Sequence, residues 1–164
     1  MILAIDPGSE QSAAAILNDS GQPVESWKEP NDIVLRRVIA LSSAWDRSDD
    51  GAYLGHLAIE MIASYGMPVG AEVFNTCVWI GRFIQAWSAP FTLVYRRDVK
   101  MFLCGNNTAK DGNIRQALID RFGGKDAAIG KKKSPGPLYG FHDDLWSALA
   151  VGVTWRETYA KRAA

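Results

Sequence analysis

The chain opens on an apolar run, residues 2–6, that ends in Asp6-Pro7-Gly8-Ser9, the pattern of a buried strand entering a turn. Residues 13–17 form a second apolar stretch, and Asn18-Asp19-Ser20-Gly21 is a tight-turn signal. Residues 23–28 read as a third strand, with Val24 and Trp27 apolar and Glu25 and Lys28 polar. Short turns between three strands predict an antiparallel meander. After Pro30 the period changes. Asn31 is placed to cap a helix in which Ile33, Leu35, Val38 and Leu41 recur until Trp45. Residues 46–51 are a polar loop, and residues 56–61 a buried strand with a carboxylate near its end. Val73, Cys77, Ile80, Ile84 and Trp87 then form a helical stripe, expected to face the core. A strand at 91–95 and helices at 99–103 and 114–122 come next, the last stopped by Gly123-Gly124. Residues 125–140 combine three consecutive lysines with Pro135-Gly136-Pro137 and read as a mobile basic loop. A final helix is predicted over 143–159. This order describes one domain over residues 1–164: a mixed α/β sheet, three antiparallel strands then parallel ones, with helices on both faces.

Composition narrows the class. At 164 residues, 48% hydrophobic and 22% charged, with a mean hydropathy of −0.08, the chain is neither disordered, coiled-coil nor collagen-like. No apolar run approaches the ~18 residues of a membrane-spanning helix. The N-terminus carries no basic region, so no signal peptide is expected and the chain is assigned to the cytoplasm, the host's if a phage encodes it. Cys77 and Cys104 are read as reduced core thiols. Net charge is zero but uneven: residues 1–95 hold five Lys and Arg against eleven Asp and Glu, and residues 96–133 hold ten against four. A positive block of that kind is what a polyanion would feel.

The acids stand at telling places. In such sheets chemistry gathers at the carboxyl ends of the strands. Asp6 closes one apolar strand, and Glu60 interrupts Leu57-Ala58-Ile59-Glu60-Met61-Ile62, where an acid is costly to bury unless paired or metal-bound. Asp143-Asp144 opens a helix of small apolar residues. Asp6 could merely start a turn and Asp143 or Asp144 merely cap a helix. Together they point to a divalent-metal site. Phosphodiester hydrolysis needs an activated water and stabilised charge on the phosphorus and the leaving oxygen. Two Mg²⁺ ions roughly 3.5–4 Å apart, held by hard carboxylate oxygens, supply all three. His56 and His142 are too few for a zinc site. His142, directly before the acidic pair, is a candidate to position water or touch phosphate.

Four motifs in order resemble the RuvC family of Holliday junction resolvases, within the RNase H-like superfamily. They are Ile5-Asp6-Pro7-Gly8-Ser9, Ala58-Ile59-Glu60, the segment with Tyr95, Val99-Lys100, Gly105 and Ala109-Lys110, and Asp144 ahead of Ser147-Ala148-Leu149-Ala150-Val151. The resemblance covers nearly the whole chain. It implies an RNase H-like fold and Mg²⁺-dependent cleavage of four-way DNA junctions by a homodimer, with Mn²⁺ able to substitute. It also implies Asp6, Glu60 and Asp144 as metal ligands and Lys100 and Lys110 as phosphate contacts. The family usually has a second carboxylate where this chain has Ser147. Asp143, four positions earlier, is expected on the same helical face, where it could replace that charge as a fourth ligand.

Arg115, Lys125 and Lys131, Lys132 and Lys133 are expected to track DNA phosphates beside the acids, and Tyr65 to stack on an unpaired base. Phe74, Trp79 and Phe83 are the expected dimer contacts. Two other readings stay open: an RNase H-like nuclease acting on flaps or RNA–DNA hybrids, and a junction-binding module with weakened catalysis, suggested by Ser147. A sugar-kinase or actin-like ATPase would need a longer chain and further phosphate-binding glycines.

Overall fold

The computed structural model describes residues 1–46, 55–64, 66 and 68–159. A five-stranded sheet runs in the order β3-β2-β1-β4-β5, with β1 Ile2–Asp6, β2 Gln11–Leu17, β3 Pro23–Pro30, β4 His56–Met61 and β5 Phe91–Tyr95. The first three strands form the antiparallel meander, and β4 and β5 extend the sheet in parallel from β1. Edge position suits β3, which buries only Trp27 and carries a proline at each end.

Helices cover both faces, so the inner strands are apolar on both. On one side Leu3, Ile5, Ala14, Ile16, Leu57 and Ile59 pack against Val34 and Val38 of α1 (Asn31–Asp46) and Ile80 and Phe83 of α2 (Ala71–Gln85). On the other, Ala4, Ala13, Ala15, Ala58 and Val94 meet α3 (Arg96–Cys104), α4 (Asp111–Arg121) and α6 (Leu145–Thr154). The alanines of this second face make a shallow floor on which α6, buried along its whole length, lies close to β1 and β2. A side-chain carbon at Gly152 would stand 2.7 Å from Leu17 Cδ1 and 3.0 Å from Ala4 Cβ, so glycine sets that approach.

Several expectations are corrected. Residues 125–140 are not a loose loop: α5 (Lys125–Ala128) leads into a small hairpin of β6 (Gly130–Lys131) and β7 (Ser134–Pro135). Gly136 lets the returning backbone pass where any Cβ would collide with the Ala127 and Ala128 carbonyls, and Leu138 is buried behind it. The last helix begins at Leu145, not Asp143, and ends in a π-helical turn, Trp155–Tyr159. Phe83 is fully buried against the sheet, which removes it from any dimer surface, whereas Phe74 is 62% exposed. Cys77 and Cys104 are free thiols. Among the described residues no helix is long and apolar enough to cross a membrane. Tyr65 and residues 47–51 of the polar loop lie outside the described residues.

Candidate active site

Strand register assembles the site. Lys28 of β3 pairs with Ala13 of β2, and Ala13 pairs with Asp6 of β1. On the other flank Ile5 lies beside Ile59, so one step further along these parallel strands Asp6 comes beside Glu60, which itself pairs with Val94. Residues opposite one another on neighbouring strands share a face. By alternation from Ala4 and Ala58, that face is the one under α6. One row of the sheet therefore carries Lys28, Ala13, Asp6 and Glu60, with the two carboxylates on adjacent strands at their carboxyl ends.

A buried network fixes the chain just after Asp6. Ser12 Oγ donates to Asn31 Oδ1 at 2.6 Å, Asn31 Nδ2 donates to the Gly8 carbonyl at 2.9 Å, and the Gly8 amide points at Ser12 Oγ. Asn31, read from the sequence as a cap, instead starts α1 and ties the β1–β2 turn to it.

From above, α6 brings Asp144 and Ser147. Asp144 stands at the N-cap but its carboxylate makes no capping bond; it pairs with Lys28 Nζ at 2.7 Å. Ser147, one turn on, accepts from Arg96 Nη1 at 3.3 Å, and its hydroxyl lies near enough to Asp6 to favour the ionised carboxylate. Arg96 is the first residue of α3. The same Nη1 lies 3.3 Å from Glu60 Oε2, and Nη2 donates to Asp111 Oδ1 at the start of α4. These groups border a cleft of about 540 Å³ lined by Lys28, Arg96, Asp111, Arg115, Asp143, Asp144, Trp146 and Ser147.

The cluster is short of positive charge. Burial, then the charge of Glu60, pushes the Asp6 carboxyl up to about 8, even with Arg96 and the Ser147 hydroxyl acting to lower it. Burial likewise raises Glu60, with Arg96 opposing. The hydrogen bond to Asp144 raises Lys28.

Of the residues singled out in the sequence, Asp6, Glu60 and Asp144 converge. Lys100 lies near enough to Glu60 to act on its charge, and Arg115 is stacked over Trp146, 4.9 Å from the ring centroid, at the cleft. Lys110 immediately precedes Asp111, its backbone amide held by Asn113. Asp143 does not share a helical face with Ser147. Asp143 precedes the helix in the left-handed region at φ 42° and is 71% exposed; its carboxylate faces His142 Nδ1 at 3.2 Å. It does line the cleft, but from the rim. Lys125, Lys131, Lys132 and Lys133 are exposed on α5 and the hairpin.

Sequence reasoning missed Lys28, Arg96 and Asp111. Lys28 becomes visible only through two strand registers. Arg96 carried a readable signal, since it comes directly after the carboxyl end of β5, where functional groups of such sheets collect.

Among the described residues no three His, Cys, Asp or Glu side chains close around one point as they stand. The donor chemistry nonetheless suits a hard cation. Asp6 and Glu60 offer neighbouring carboxylates under-compensated by one guanidinium, and Asp144 is a third once it turns from Lys28.

No family model matches this sequence, and no curated protein does. Solved structures do. The Thermus thermophilus RuvC structure is 17% identical, with a TM-score of 0.65 over 99% of this chain and 96% of that one. T. thermophilus RuvC in complex with a Holliday junction substrate is likewise 17% identical, with a TM-score of 0.64 over 99% and 95%. The likeness establishes the fold: this chain has the RuvC-type, RNase H-like architecture that its motifs led one to expect.

Proposed function

We propose that this chain, built on the fold of RuvC, is a Mg²⁺-dependent endonuclease that resolves four-way DNA junctions. The observation that carries the reading is the row of Asp6 and Glu60 at adjacent strand ends beneath Asp144, half-buried and deficient in positive charge. Asp6, Glu60 and Asp144 would hold Mg²⁺ or Mn²⁺, which when bound activates water and stabilises charge on the phosphate. The protein's own groups do the rest. Lys28 holds Asp144 in place and becomes free to meet a phosphate when that carboxylate turns inward. Arg115, fixed by its stacking on Trp146, places a cation in the cleft, and Lys100 another in the pocket on the far side of Arg96. These contacts position the DNA backbone without reading its sequence.

A four-way junction presents two equivalent strands, which suits a two-fold dimer. The exposed apolar residues Phe74 and Val78 of α2 and Ile39 of α1 supply the surface for it. The alternative, a junction-binding protein with weak catalysis, is favoured by one observation: Ser147 occupies the place of a carboxylate.

The test compares cleavage of four-way junction, duplex, flap and RNA–DNA hybrid with and without Mg²⁺. Cleavage of the junction alone, only with metal, by a species of twice the 18.0 kDa chain mass in light scattering is expected. Asp6→Asn and Glu60→Gln should each lower cleavage at least ~10²-fold with junction affinity intact. Metal-independent nicking, or full activity of either variant, defeats the proposal; binding without cleavage leaves the alternative.

A further inference from the structure

We propose that Arg96 is a built-in cation standing in the place of a second divalent ion, so that each site takes one ion and not two. This rests on the metal-site reading and concerns what this chain does differently within it. Ser147 offers a hydroxyl where a carboxylate would help hold a second ion, and the guanidinium occupies the space beside it. Nη1 reaches both Glu60 Oε2 and Ser147 Oγ at 3.3 Å, and Nη2 is tied to Asp111. The anchors come from β4, α6 and α4, so the guanidinium is held from three sides. Its side chain is 26% exposed and lines the cleft, so it would also face a phosphate bound there.

The exchange is consistent in charge. Replacing Asp by Ser at position 147 removes one negative charge, and Arg96 adds one positive charge. A second divalent ion would then meet both fewer ligands and a resident cation. A fixed guanidinium donates two hydrogen bonds in one plane and needs no loading from solution, which fits it to an oxyanion on phosphorus. The serine hydroxyl keeps a second function: held by Arg96, it stands beside Asp6 and favours its ionised form.

The experiment counts ions. Mn²⁺ is titrated into the full chain bound to uncleavable junction, with bound metal read by electron paramagnetic resonance and calorimetry. Wild type should bind one Mn²⁺ per chain, and Asp6→Asn should weaken it at least tenfold. Arg96→Ala should bind its single Mn²⁺ more tightly, having lost a competing charge, yet cleave about 10²-fold more slowly. Such opposite movement is not what a merely structural residue would give. Arg96→Lys, which keeps the charge but not the forked contact, should fall between. Combining Arg96→Ala with Ser147→Asp should bring the count to two. Two ions in wild type, or an Arg96→Ala enzyme that cleaves normally, overturns the inference. One ion without cleavage of any DNA would instead defeat the nuclease reading and leave the count standing.

Discussion

A carboxyl group set beside a buried glutamate ionises against both desolvation and repulsion, and in Asp6 the two push the pKa from 3.8 to about 8. Because the folded value lies above the unfolded one, the folded chain binds the extra proton between roughly pH 4 and 8. Its stability therefore falls as pH rises through that window. Metal-free protein should melt higher at pH 5 than at pH 8, and Asp6→Asn should flatten the difference. At pH 8 the variant, freed of ~1–2 kcal/mol of unfavourable burial, should melt about 2–8 °C above wild type. Added Mg²⁺ should stabilise wild type more than the variant. Calorimetry across pH, with and without Mg²⁺, checks both; identical pH profiles would mean that Asp6 is ionised and compensated without metal. Asp6 and Glu60 were legible in the sequence because an acid that ends or interrupts an apolar run stands out against its neighbours. Arg96 was legible only in its position, directly after a strand's carboxyl end; that its guanidinium turns to Glu60 and Ser147 was not.

Among the elements, the strands and the meander were readable because apolar runs bounded by turn residues define them. The buried face of α2 does come out of its period: Ile80, and Trp87 just after the helix, are buried, Val73, Cys77 and Ile84 are half-buried, and Thr76 and Phe83 turn inward beside them. What that period does not account for is Phe74 and Val78, apolar residues on the outer face. The hairpin after α5 was illegible for another reason: it depends on where backbone passes backbone at Gly130 and Gly136, and proline-glycine sequence does not name the partner. Gly152 is to its helix what Asp6 is to the carboxylate row. It seats α6 on Ala4 and Leu17, and so sets the height of Asp144 and Ser147 above the strand ends. Gly152→Val should cost ~1–3 kcal/mol through overpacking and slow cleavage by tilting α6, which carries Asp144 and Ser147 at its other end. Gly81→Ala, where a Cβ meets nothing within 4 Å, should instead gain ~0.4–1 kcal/mol with cleavage unchanged. Urea unfolding and cleavage rates separate the cases, and a Gly152→Val protein of normal stability and rate would show that α6 does not need close seating.

Over the whole molecule the two halves of the charge distribution have different places in the fold. The acidic first 95 residues form the sheet with α1 and α2, and the basic segment 96–133 forms α3, α4, α5 and the start of the hairpin. That segment supplies Arg96 and Arg115 to the rim of the acid cleft and Lys100 beside it, so positive charge surrounds a negative centre. A phosphodiester chain would be drawn by the surround and cut at the centre. Lys131, Lys132 and Lys133 are the densest part of that charge and stand exposed on a hairpin whose support, Ala128 and Leu138, is buried beneath them. Replacing the three lysines by glutamine should therefore leave the melting temperature unchanged. Each phosphate contact contributes about 0.9 to the slope of log affinity against log salt, so three lost contacts should lower the slope by up to ~2.7. Binding of a four-way junction, measured from about 50 to 200 mM salt, should then weaken most at low salt and converge on wild type at high salt. An unchanged slope would place the DNA away from the hairpin, along α3 and α4 alone.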